Sequence, residues 1–427
     1  MFALFHGETK LFHGYAQAYH TDHRWIDTRE AELVRREITE SGLILTYQAN
    51  NGLVLTETLS ADGEAAFASC TLSDADGREV ESRKLVPLIA NGSSDDSLPL
   101  WGNLFNKQLL LPFDNDQWLR YEAVPFRVGQ ISYDMTVVFD PETREGLLIG
   151  ALDFNMWKNG MSNSHTTTNV INCICGVAGE GTHDVCQHGS LIGRQVTSSR
   201  FAILAGPDYR DLLEAYGDLL NKERMPLQWR EGIPFGFNAF AGLGRKRNND
   251  IFARTSRFIR DELLPRGFGN QGVTYTNLDG GWQMLDADER LRNKEEMHAH
   301  GQKAGIYDGP FVCRPFGERF DTPLPGVPEY TYGDILLRNE QGEPLPPVDG
   351  LYALDVTHPA WREFTIKKFE DYKKWEYDYL KIDFLTHGCM EGVHYDKSIR
   401  TGRQALTRGS IVWDSESCDA LLLKREP

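Results

Sequence analysis

Two carboxylates and a lysine stand where short apolar runs end. Asp279 closes VTYTNLD and is followed by Gly280, Gly281 and Trp282, while Asp383 lies near the end of YDYLKIDF, two residues after Lys381. Alternate residues of an extended strand share a face. Tyr379, Lys381 and Asp383 therefore point one way, and Leu380, Ile382 and Phe384 the other. If the apolar set packs on helices, Lys381 and Asp383 turn toward the opposite face. An ammonium beside a carboxylate favours the ionised form, the state in which a carboxylate acts as a nucleophile. A structural ion pair would use the same residues, and an Asp before two glycines also suits a turn. Lys381 could instead carry a Schiff base.

The elements that must position these residues differ between the two halves of the chain. Up to about residue 205 the sequence reads as short alternating runs, such as Gly42 to Gln48, Gly52 to Leu59 and Ala66 to Leu72. Asn-Gly at 51–52 and Asp-Gly at 62–63 and 76–77 separate them and predict hairpins. Many short strands with few helices predict an antiparallel β-sandwich over 1–205. Residues 206–232 hold an amphipathic stretch, Asp208 to Lys222, and a proline-punctuated linker.

From residue 233 strands and helices alternate. Strands are expected at 234–240, 272–279, 303–308 and 378–384, and helices at 250–264, 286–299, 359–375 and 397–408. Repeated βα units imply a parallel sheet, and the best match is a (β/α)₈ barrel whose active face lies at the C-terminal strand ends. Four units fit into 233–427, whereas a barrel needs eight. The expected barrel is thus incomplete, and its last stretch, 411–427, does not continue the repeat.

Composition narrows the partners. A net charge of −17 argues against nucleic acid, because phosphates repel an acidic surface. No run is long enough to cross a bilayer, and MFALFHGETK has no leader-like apolar core. Seven scattered cysteines read as reduced thiols in a cytoplasmic protein. Cys173, Cys175, Cys186 and His188 form the one cluster, but a C-x-C without a second tight pair is a packing pattern more than a zinc site. No glycine-rich phosphate loop is evident. Neither a metal nor a cofactor is expected.

Four segments in order resemble glycoside hydrolase family 36, the α-galactosidase family. They are Gly236-Phe237-Asn238-Ala239-Phe240, Asn277-Leu278-Asp279-Gly280-Gly281-Trp282, Gly305-Ile306-Tyr307 and Tyr379-Leu380-Lys381-Ile382-Asp383. They are similar to the family's GWNSW, DDGW, GIY and YLKxD. Thr182-His183-Asp184 through His188-Gly189 also resembles a motif of that family's N-terminal β-supersandwich. The resemblance covers roughly residues 100–410.

It implies a β-supersandwich followed by a (β/α)₈ barrel, and a retaining hydrolase releasing terminal α-galactosyl residues from oligosaccharides or glycoconjugates. By it, Asp383 corresponds to the nucleophile and Lys381 to a lysine that binds sugar hydroxyls. Asp279 corresponds to the first of two sugar-binding aspartates, and Trp282 and Phe240 to aromatic residues of the terminal-sugar pocket. Ordinary core packing would use the same two aromatic residues. Gly280 stands where the second aspartate is usual. The acid/base carboxyl is expected beyond residue 427, since Asp414, Glu416 and Asp419 lie where the pattern breaks. The resemblance is compatible with a homo-oligomer. Without the acid/base carboxyl the chain is expected to lack efficient catalysis, and the alternatives are a truncated non-catalytic fragment, a sugar-binding pseudoenzyme, an α-N-acetylgalactosaminidase or a galactosyl transferase.

Overall fold

The computed structural model describes residues 1–93, 98, 100–114, 122–164, 166–223, 233–240, 248–314 and 319–409, with the backbone at 412–413 and 421–422. Asp414, Glu416 and Asp419, and the basic run 245–247, lie outside the described residues. The chain divides into two compact units. The first is Met1–Pro226 with Arg338–Asp349 and Cys389–Thr407, and the second is Leu227–Leu337 with Gly350–Gly388 and Arg408–Pro427.

In the first unit two antiparallel sheets, of seven and ten strands, supply one apolar core. The larger sheet is built on Gly146–Ala151, Phe201–Gly206, Ala65–Asp74 and Leu53–Asp62, adjacent in that order. The alternation seen in the sequence is the burial pattern. Leu53 and Leu55 are wholly buried, and Val54 and Thr56 between and beyond them are only half-buried. The expected Asp-Gly hairpin joins these last two strands, with Asp62 paired to Ala65 and Gly63 at φ 58°, a left-handed conformation glycine adopts without cost. Cys173 and Cys175 are both buried on the core side of Val170–Cys175.

The amphipathic stretch forms α1, Tyr209–Glu223, whose Leu212 and Tyr216 enter this same core. Its Tyr216 hydroxyl donates to the Ala151 carbonyl at 2.5 Å, and Tyr209 stacks on Phe139 at 4.0 Å. This helix belongs to the first unit.

In the second unit β1 (Gly236–Asn238), β2 (Tyr275–Leu278), β3 (Lys303–Asp308) and β4 (Tyr379–Ile382) form one parallel sheet in chain order. Helices α2 (Asn249–Phe258), α3 (Ala287–Ala299) and α4 (Pro359–Lys374) alternate with them, whereas most of α5 (Gly402–Gly409) belongs to the first unit. The register pairs Asn238 with Asn277, Asn277 with Gly305, and Tyr307 with Lys381. Parallel partners share a face. Leu278, Ala304, Ile306 and Leu380 pack with Phe252, Met297, Phe369 and Tyr372 in one apolar cluster. The opposite face carries Tyr275, Asn277, Tyr307, Tyr379 and Lys381.

Strands β1, β2 and β4 are shorter than expected, and two helix boundaries and one exposure also differ. The helix expected through Leu264 ends at Phe258, widens through a π turn, Ile259–Leu263, and tightens in a 3₁₀ turn, Leu264–Arg266. Pro265, which has no N–H to donate, sits at the start of that last turn. The last helix begins at Gly402, five residues after Lys397. Ile382, expected on the packed face, is 42% exposed, because β4 is the edge strand of the described sheet.

Candidate active site

The four parallel strands deliver their polar residues at their C-terminal ends. Asp279 follows β2 and Asp383 follows β4, each continuing the alternation that puts Asn277 and Lys381 on the non-helical face. The Lys381 ammonium donates to Asp279 Oδ2 at 2.9 Å, and the Gly280 N–H donates to Asp279 Oδ1 at 2.7 Å. Asp279 is 1% exposed, whereas the Lys381 side chain retains 34%. A buried carboxylate is thus held by a cation that still meets solvent.

Asp383 is half-buried and fixed by its own backbone. Its N–H donates to the Asp308 carbonyl at 2.9 Å, continuing the β3–β4 ladder, and its Oδ1 accepts the Phe384 N–H at 3.0 Å. Phe384 has φ 60°, a conformation costly for a bulky residue. The turn that carries the carboxylate is therefore held by its surroundings. The Tyr307 hydroxyl is the side-chain partner of Asp383, and burial followed by the Asp383 charge raises the Tyr307 pKa, keeping the phenol neutral. The expectation from one strand was a Lys381–Asp383 pairing; the lysine's bond instead reaches across the sheet to Asp279.

Aromatic residues divide between site and core. Phe240, just after β1, is 43% exposed with the Lys381 ammonium 5.8 Å from its ring centre. That ammonium is also 5.1 Å from the Tyr307 ring. Trp282 is 2% exposed and packs edge-on against Tyr372 and Trp375, while its indole N–H donates to the Tyr307 carbonyl at 2.6 Å. The structure therefore brings Asp279, Lys381, Phe240 and Tyr307 together, ties Asp383 to Tyr307, and sets Trp282 behind the strand that bears Tyr307.

Two residues were not singled out from sequence. Tyr307 lies within Gly305-Ile306-Tyr307, and counting alternate positions along β3 places it on the Lys381 face. Asp308 is buried at 1% with Lys368 2.9 Å away, a partner from α4 that no local spacing predicts. Gly305 has a steric reason: a Cβ there would lie 2.6 Å from Asn277 Oδ1 and 3.0 Å from the Tyr379 ring. Gly280 has none, since a Cβ would meet only the Tyr307 ring at 3.8 Å. Among the described residues no group of three or more His, Cys, Asp or Glu is arranged to hold a metal.

Comparison with solved structures defines the class of fold. The chain is similar to the family 36 α-galactosidase AgaB of Geobacillus stearothermophilus, with a TM-score of 0.54 and 10% identity over 92% of this chain and 57% of that one. It is similar to the α-galactosidase of Lactobacillus brevis, with a TM-score of 0.55 and 11% identity over 95% and 62%. A variant of AgaA from G. stearothermophilus in complex with raffinose gives 0.54 and 10% over 94% and 61%. The chain thus has the fold of the corresponding part of family 36 glycoside hydrolases and spans about 57–62% of the length of these three proteins. No family model matches the sequence, and no curated protein matches it. No described helix is long and apolar enough to cross a membrane.

Proposed function

We propose that this chain carries the nucleophile and part of the sugar pocket of a retaining glycoside hydrolase acting on terminal α-galactosyl residues of oligosaccharides. The observation that carries the reading is the Asp279–Lys381 pair and the Tyr307–Asp383 contact, presented at the C-terminal ends of three adjacent parallel strands. In this reading β1 to β4 are the first half of a (β/α)₈ barrel.

Asp383 attacks the anomeric carbon as the glycosidic bond breaks, and water then hydrolyses the covalent intermediate with a second carboxyl acting first as acid and then as base. Tyr307 holds the Asp383 carboxylate in place by donating its hydroxyl proton. Asp279 accepts from sugar hydroxyls while Lys381 donates to them, a polar pairing that discriminates sharply between hydroxyl patterns. Phe240 offers an exposed ring to a sugar face. No described residue is assigned the acid/base role, and no metal or cofactor enters the scheme.

The test is incubation with an activated 2-fluoro α-galactosyl donor followed by peptide mass spectrometry. A glycosyl adduct on Asp383, absent from Asp383→Asn, is expected. An adduct elsewhere, or hydrolysis of an aryl α-galactoside by Asp383→Asn at the parent rate, would sink the assignment.

A further inference from the structure

The first unit contains a second lysine–carboxylate cluster that the proposed chemistry does not use. Lys158 is wholly buried, and its ammonium lies 2.5 Å from Asp184 Oδ2 and 3.3 Å from Glu391 Oε1. The Lys158 N–H donates to His188 Nε2 at 3.3 Å while the other ring nitrogen faces the Gly189 carbonyl at 2.8 Å, so the imidazole is neutral. One cation thus faces two carboxylates. The excess negative charge is met by donors: Thr182 and the Glu391 N–H serve Asp184, and the N–H groups of Gly189 and Gly402 serve Glu391.

These bonds join two stretches far apart in sequence, 182–189 and 389–402. The backbones meet so closely that a Cβ on Gly189 would lie 1.6 Å from the Arg400 carbonyl oxygen, and one on Gly402 would lie 1.9 Å from that of Cys389. Neither glycine has a left-handed φ, so close approach is what each position requires. Thr401 donates to the Met156 carbonyl at 2.6 Å, and Arg403 pairs with Asp134 at 2.8 Å, extending the same seam.

We propose that Lys158, Asp184 and Glu391 are positioning residues: a buried charge lock that fixes residues 389–402 in the first unit. The locked stretch begins six residues after Asp383. The lock therefore fixes one end of the short segment carrying the nucleophile, a consequence that rests on the functional reading above. A buried ion pair earns little net stability against an apolar replacement but defines register, and that is the role assigned to it.

The experiment is hydrogen exchange by mass spectrometry on the full chain, comparing the parent with Glu391→Gln, Gly189→Ala and Lys158→Met. Peptides spanning 389–402 should exchange at least tenfold faster in each variant while Gly146–Ala151 keeps its protection. Parent-like exchange of 389–402 in folded Glu391→Gln overturns the lock, and this near-isosteric variant decides the matter if Lys158→Met fails to fold. Turnover of an aryl α-galactoside per folded molecule should fall about tenfold in Glu391→Gln, with KM within about twofold. Unchanged turnover per folded molecule would overturn the effect on the nucleophile. The exchange result decides the lock whether or not the parent chain hydrolyses the glycoside, and the adduct experiment on Asp383 decides the functional reading.

Discussion

The two lysine–carboxylate clusters contain the same chemical groups in opposite settings. At Lys381 one carboxylate partner is buried and the lysine side chain keeps a third of its surface. At Lys158 every charged group is buried; backbone donors serve Asp184 Oδ1 and Glu391 Oε2, and Glu391 Oε1 has only the ammonium charge 3.3 Å away. Removing charges from water costs several kcal/mol per ion, so a closed cluster is held only if its charges are paired. An open cluster can exchange its protein partner for a ligand hydroxyl. Burial separates a structural arrangement of Lys, Asp and Glu from one able to work on a substrate.

This contrast can be broken most forcefully at the nucleophile. Asp383→Asn should lower kcat/KM for an aryl α-galactoside by about 10⁴-fold, roughly 5 kcal/mol of transition-state stabilisation, with little change in folding stability. A stability loss as large as the activity loss would make Asp383 resemble the buried cluster. Lys158→Met should cost about 3–5 kcal/mol in a denaturant titration, because it strands buried carboxylates. A loss below about 1 kcal/mol would place the two clusters in the same class.

Glu57 extends the contrast, since it is a wholly buried carboxyl in the first unit's core with Tyr47 beside it and no cationic side chain paired to it among the described ion pairs. Burial pushes its pKa up to about 7. The folded state therefore holds a proton that the unfolded chain releases near pH 4.5, and stability falls as pH rises from about 4.5 to about 7. The loss above pH 7 is on the order of 3 kcal/mol. Glu57→Gln should flatten that slope and raise the thermal midpoint at pH 8; an unchanged pH profile would refute the assignment. The smallest effect is expected at Lys381→Met, about 1 kcal/mol of stability, because the ammonium is partly solvated and the Gly280 N–H still serves Asp279.

Much of the open site was legible because it depends on alternation along strands. Asp279 and Asp383 at strand ends, and Lys381 on the face of Asp383, follow from a two-residue period. The partner of Lys381 was not legible. Which carboxylate it meets depends on the parallel register of strands 102 residues apart, and register is set by helix packing that no single strand encodes. Trp282 shows the same limit: an aromatic residue two places past a glycine could face either sugar or core, and packing against Tyr372 and Trp375 places it in the core. The cluster at Lys158 was less legible still. Thr182 to Gly189 was visible as a motif, but Glu391 carried no local signal, and 207 residues separate it from Asp184.

That separation has a consequence during synthesis. Ribosomes add about 5–20 residues per second, so Asp184 and Lys158 leave the tunnel roughly 10–40 s before Glu391 can reach them. For that interval the nascent first unit holds a place for a stretch not yet made, with Gly189 uncovered and the lysine open to water. Its final closure is timed by the length of the intervening chain rather than by the folding speed of its own strands.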